Sequence, residues 1–134
     1  MASNILSLDV GERRVGVAIA SVIAQFPNPL TTLDATDSVI EHIQQLATEH
    51  DVQTIVVGLP RNLSSEDTAQ TEYVRKFAKQ LSGYTVAFQD EALTSQKAEA
   101  ELKAKGKPYE KGDIDTLAAV YILEDYLTVH GAEL

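Results

Sequence analysis

The stretch LSLDVGERRVGVAIA, residues 6–20, carries an aspartate at the end of one apolar run, turns at a glycine and enters a second apolar run. A surface hairpin places its charge at the tip. Here the charge, Asp9, falls where a core should begin. The flanking residues predict a β-hairpin, with NILSLDV as the first strand, GE as the turn and RRVGVAIAS as the second strand.

Outward from this hairpin, FPNPLTTLD is extended, and its end reads as a third strand after two prolines. Val39, Ile40, Ile43, Leu46 and Ala47 recur at helical spacing, with Asp37 or Ser38 as N-cap. VQTIVVGL is a nearly continuous apolar run, as in a strand covered on both faces. SSEDTAQTEYVRKFAKQLSG, residues 64–83, reads as a helix closed by Gly83. YTVAFQ is a further strand. TSQKAEAELKAKG is a helix opened by Thr94 or Ser95 and closed by Gly106, and GDIDTLAAVYILEDYL is a last helix. This order predicts an α/β fold: a mixed five-stranded sheet, an antiparallel hairpin plus parallel strands, flanked by helices.

The chain has 134 residues, 44% of them hydrophobic, which suits one domain spanning residues 1–134. No run of apolar residues is long enough for a membrane span, and the N-terminus lacks the basic and apolar regions of a signal peptide. There is no cysteine, so disulfide and thiolate chemistry are excluded, and a cytoplasmic location is expected. The net charge of −9 opposes a broad polyanion-binding surface. A small basic surface, or metal ions held by carboxylates, can still receive a nucleic acid.

Acidic residues fall at three places where such a sheet brings strand ends together. Asp9 ends the first strand, Asp90 and Glu91 end the YTVAFQDE strand, and Asp115 opens the last helix. Asp115, Ala118, Ala119 and Ile122 share one helical face, and the alanines let that face approach the sheet. Asp113 reads as an N-cap. Converging carboxylates suit hard divalent cations such as Mg²⁺, which take oxygen ligands. Two such ions roughly 4 Å apart can support phosphodiester cleavage. Without a cation the carboxylates repel one another.

Two further segments can contact phosphate. VVGLPRN, residues 56–62, leaves Arg61 and Asn62 on a loop at the carboxyl end of a buried strand. An arginine there can grip a phosphate with two hydrogen bonds. KAKGKPYEK, residues 103–111, sets Lys103, Lys105, Lys107 and Lys111 against Glu110, a local charge of +3 (four lysines less one glutamate). Its Tyr109 can stack on a base. The three histidines have no metal-ligand spacing, and no phosphate-binding P-loop or GxSxG element occurs.

LSLDVGERRVGVA, IVVGLPRNLSSEDTAQT, FQDEALTS and GDIDTLAAVYILEDYL together resemble, in order and spacing, the YqgF-like family of Holliday-junction resolvases and pre-16S rRNA nucleases. The resemblance covers nearly the whole chain and implies a ribonuclease-H-like fold. It implies catalytic, metal-holding acids at Asp9, Glu91 and Asp115, with Mg²⁺ or Mn²⁺ as cofactor. It also implies a substrate role for the loop of Arg61 and Asn62. Arg13, Arg14, Lys105, Lys107 and Lys111 are the further candidates for binding the nucleic-acid backbone.

The implied activity is hydrolysis of structured nucleic acid, foremost the 5′ end of precursor 16S rRNA, by a monomer or homodimer. Junction resolution and a non-enzymatic binding module are the alternatives. DVGERRVGVA also resembles the phosphate hairpin of actin-like ATPases, but a second domain to close over ATP is not expected within 134 residues. The chain departs from the family pattern at Ala92, where Arg is usual, at Ser64 and Ser65, where Asp-Gly is usual, and at Asp113, where Lys is common. The departures at Ala92 and Asp113 reduce positive surface, and all three leave the three acids intact.

Overall fold

In a computed structural model that describes residues 2–62, 64, 66–91 and 94–134, the hairpin is the start of a five-stranded sheet. Its strands are β1 (Asn4–Val10), β2 (Arg14–Ser21), β3 (Asn28–Asp34), β4 (Val52–Pro60) and β5 (Thr85–Glu91), in the order β3-β2-β1-β4-β5. β1 and β2, and β2 and β3, pair antiparallel. β4 pairs parallel with both β1 and β5. The expected mixed sheet of a hairpin plus parallel strands is therefore present, with Asp9 on its central strand.

Alternation assigns each strand residue to one face. Leu6, Leu8 and Val10 of β1 join Val15, Val17, Ile55, Val57 and Leu59 in the larger core cluster. Helices α1 (Val39–Glu49) and α2 (Ala69–Ala78) cover it, through Val39, Ile43 and Ala47 and through Val74, Phe77 and Ala78. On the opposite face, Ile5, Ala18, Ala20 and Val56 meet Ala119, Ile122, Leu123 and Leu127 of α4 (Lys111–His130). The buried Ser7, also on this face, donates to the Ala119 carbonyl at 2.6 Å. Helix α3 (Thr94–Ala104) packs outside α4, where Ala98 meets Ala118 and Tyr121. With the sheet on one side and α3 on the other, the middle of α4 is apolar nearly all round, as a helix buried between layers must be.

Three local expectations are corrected. Helix α2 does not run over 64–83 but begins after Thr68, whose hydroxyl accepts from the Thr71 backbone N–H while Thr71 reciprocates. That capping box fixes the start, and the hydroxyl of Thr71 is also spent on the Pro60 carbonyl, tying the helix to the end of β4. Gly83 does not close α2. It lies at φ 90° in the turn that leads into β5. In α4 the N-cap is Glu110, and Asp113 occupies the third helical position, where its carboxylate accepts from the Glu110 N–H at 2.9 Å.

Candidate active site

Asp9 is the penultimate residue of β1 and lies on the α4 face of the sheet. Its partner across the hairpin is Gly16, and the next step beyond the Leu8–Val57 pair on β4 brings Gly58. Both glycines are there because the space over them is occupied. A Cβ on Gly16 would collide with the backbone carbonyl of Asp115. A Cβ on Gly58 would collide with the Ile122 side-chain tip and come within 3.2 Å of the Glu91 carboxyl carbon. The missing side chains let α4 settle onto the sheet and let Glu91 reach inward from the neighbouring strand.

Glu91 is the last residue of β5, in register with Pro60 of β4. Alternation separates it from Asp90, which turns to the other face and meets Arg61 Nη1 at 3.3 Å. Of the two acids at this strand end, only Glu91 therefore joins Asp9. Thr94, at the start of α3, donates its hydroxyl to Glu91 Oε2 and fixes that carboxylate. Asp115 sits on the second turn of α4, where Oδ2 accepts from Arg14 Nε at 2.6 Å.

The electrostatics of the acids are those of a converging group. Burial pushes the Asp9 carboxyl well above the ordinary carboxylate range, and the charges of Glu91 and Asp115 push it further. Burial also raises Glu91, against the hydrogen bond from Thr94. The folded chain thus holds Asp9 and Glu91 against their preference for water, with nearby negative charge worsening the cost. A divalent cation relieves such repulsion, and an all-carboxylate donor set matches a hard ion. Among the described residues, no three His, Cys, Asp or Glu side chains stand close enough together to hold an ion jointly.

The predicted substrate residues divide into groups. Arg14 reaches the acids directly, through Asp115. Arg13 is exposed in the β1–β2 turn, and its carbonyl accepts from the Ala35 N–H at 2.9 Å. Arg61 is held by two carboxylates, with Nε 3.1 Å from Asp67 and Nη1 3.3 Å from Asp90. A phosphate at Arg61 must compete with both. Asn62 shapes its own loop: Oδ1 accepts from the backbone N–H groups of Ser64, at 3.0 Å, and Glu66, at 2.9 Å. Lys105 is exposed and 4.0 Å from Glu101, while Lys107 and Lys111 are exposed and form no ion pair among the described residues. Ala92 and Ser65, two of the departures from the family pattern, lie outside the described residues.

Sequence reasoning missed Thr94 as a carboxylate-orienting group, having read it only as a helix start. The three-residue spacing from Glu91 was the available signal. It also missed the partnership of Arg14 with Asp115, which spans 101 positions of chain.

A sheet in the order β3-β2-β1-β4-β5, with helices on both faces, has the ribonuclease-H-like fold of phosphodiester-hydrolysing enzymes. The profile of the RuvX family, described as Holliday junction resolvase, matches residues 3–129, and the chain belongs to that family. Two curated relatives bear the name "Putative pre-16S rRNA nuclease". One, from Chloroflexus aurantiacus, is 45% identical over 130 residues, covering 92% of this chain and 85% of the relative. The other, from Lactococcus lactis, is 34% identical over 143 aligned positions, covering all of both chains. Among solved structures, RuvC of T. thermophilus in complex with a Holliday junction superposes with a TM-score of 0.55 at 12% identity, over 96% of each chain. The fowlpox virus Holliday junction resolvase superposes with a TM-score of 0.52 at 14% identity, over 98% of this chain and 99% of the viral one. At these identities the structural likeness concerns the fold.

Proposed function

We propose that this chain is a divalent-cation-dependent nuclease, formed by a single domain over residues 1–134, that trims the 5′ end of precursor 16S rRNA in the cytoplasm. The observation that carries this reading is the buried Asp9 carboxyl, pushed upward by the charges of Glu91 and Asp115, in a family whose curated relatives are named for a pre-16S rRNA nuclease. Asp9 and Glu91 would hold Mg²⁺ or Mn²⁺, with Asp115 as third ligand. Such an ion, when bound, lowers the pKa of a water and neutralises charge on the leaving oxygen.

The chain's own residues do the rest. β2 and β4 pair with β1 on both sides and hold Asp9 on the central strand, so a ligand oxygen is placed before substrate arrives. Thr94 sets the rotamer of Glu91. Arg14 and Lys111, which line a cavity with Asp115, place the backbone beside the acids, and Arg13, Lys105 and Lys107 add exposed positive charge. Arg61, with Asn62 shaping its loop, contributes from the end of β4. The acids themselves repel a polyanion, so these few cations must confer the affinity that the net charge of −9 opposes.

Junction resolution is the second reading, favoured by the description of the matching family. It requires a homodimer so that two strands are cut symmetrically. The deciding experiment offers two substrates with Mg²⁺ or Mn²⁺: an RNA carrying the 5′ extension of 16S rRNA, and a four-way DNA junction. Cleavage of the RNA by a monomer, lost in Glu91→Gln, is the expected result. Paired nicks in the junction by a dimer would move the assignment to resolution. No cleavage of either would reject the nuclease reading.

A further inference from the structure

Arg14 faces two ways. Its Nε is given to Asp115, and its side chain also lines a cavity of about 290 Å³ shared with Ser95, Gln96, Glu99, Lys111 and Asp115. The two acids in this cavity are already answered, Asp115 by Arg14 and Glu99 by Lys103 at 3.5 Å. Lys111 has no such partner among the described residues, and Ser95 and Gln96 stand in the first turn of α3. A guanidinium has five N–H donors, and only Nε is engaged with Asp115. The cavity therefore presents a lysine, the free edge of an arginine and neutral polar side chains beside the acidic site. That combination suits a phosphodiester oxygen.

We propose that a backbone phosphate of the nucleic acid, bound in this cavity, draws Arg14 away from Asp115, so that Arg14 is a substrate-operated latch on the third carboxylate. The inference rests on the nuclease reading for its substrate class. The Arg14–Asp115 pair is short, at 2.6 Å, but partly exposed and made through Nε alone, so a ligand offering two acceptors can compete for the guanidinium. A phosphate can take two guanidinium donors at once and add Lys111. While Arg14 is on Asp115, that carboxylate is neutralised by a cation other than a metal ion. Once Arg14 moves to phosphate, Asp115 is released to join Asp9 and Glu91. The site then becomes complete only when substrate is in place. The latch makes Arg14 a positioning residue for Asp115.

Linkage makes this testable without metal or turnover. If phosphate and Asp115 compete for Arg14, removing the Asp115 charge must strengthen nucleic-acid binding, and it must do so through Arg14. The experiment is a double-mutant cycle read by fluorescence anisotropy of a labelled RNA hairpin in EDTA. Asp115→Asn is expected to tighten binding about fivefold when Arg14 is present and by less than about twofold in an Arg14→Gln background. A general through-space effect of the lost charge would give equal gains in both backgrounds, and that result overturns the latch. Lys111→Gln, which leaves the Arg14–Asp115 pair untouched, is expected to weaken binding about threefold or more. An unchanged affinity would remove the cavity as a phosphate site. Circular dichroism of each variant checks folding.

The two readings fail separately. Equal gains from a wild type that cleaves RNA reject the latch alone. An unequal cycle in a protein that no cation activates rejects the nuclease reading and leaves the phosphate-for-carboxylate exchange standing. No binding of the hairpin by wild type rejects both.

Discussion

Asp9→Asn is expected to abolish cation-dependent cleavage and, at neutral pH, to raise the melting temperature. The first effect follows from the proposed role of Asp9 in holding the cation, because the substitution replaces a charged oxygen donor with a neutral one, and a loss on the order of 10³-fold is expected. The second follows from what the carboxylate costs. Burial and the charges of Glu91 and Asp115 raise the folded-state pKa of Asp9 above its unfolded value. A group of this kind stabilises the fold fully below its unfolded pKa of about 4 and loses that contribution as pH climbs through the raised folded value. Glu91 behaves the same way, with burial as the main cause.

At neutral pH the wild type therefore carries a destabilising buried charge that the Asn variant lacks. A gain of about 1 kcal/mol corresponds to roughly 4 °C in Tm for a chain of this size. The gap should shrink as pH falls from 7.5 towards 5, because protonation relieves the wild type too. Thermal melts of both proteins at several pH values check the sign. An Asp9→Asn variant that melts lower than wild type at pH 7.5, or that cleaves at the wild-type rate, contradicts the assignment of Asp9.

Gly16→Ala is expected to cost about 3 kcal/mol or more, because the new methyl runs into the backbone of α4. The Asp115 carbonyl and the Thr116 nitrogen belong to α4 and cannot swing aside as a side chain can, so the whole helix must lift from the sheet. Gly58→Ala provides the contrast. Its methyl meets the tip of Ile122, which can change rotamer, so the stability cost should be nearer 1–2 kcal/mol. Yet that methyl also crowds the Glu91 carboxyl carbon, 3.2 Å away, and cleavage should fall further than stability. Urea denaturation and initial cleavage rates separate the two variants. A Gly16→Ala protein as stable as wild type would mean that α4 does not lie as close to β2 as the structure places it.

What the sequence discloses of this fold is what local chemistry controls. The hairpin is legible because alternating apolar residues and a glycine turn fall within twenty residues. β4 is legible because a strand covered on both faces needs a continuous apolar run. The same alternation, once β5 is extended to Glu91, assigns Asp90 and Glu91 to opposite faces. The start of α2 is less legible. The polar residues before it suit a helix, but Thr68 and Thr71 spend their hydroxyls on a capping box and on Pro60. Contacts between distant segments leave no trace in spacing. Arg61 reads as a free phosphate ligand until the fold sets Asp67 and Asp90 beside it. Arg14 likewise reads as a surface cation until α4 arrives over β2.

β5 carries a consequence for how the enzyme fails. It lies at the end of the sheet and pairs only with β4, and none of its residues is fully buried. Segments of this kind open by themselves, at a free energy well below that of the whole molecule. Glu91 is its last residue, while Asp9 sits on the central strand. Fraying of the outer strand withdraws the Glu91 carboxylate and leaves that of Asp9 in place. Competence and foldedness are thus expected to be separate thresholds: on mild warming activity should vanish while core amides still resist exchange, and on cooling it should return without refolding.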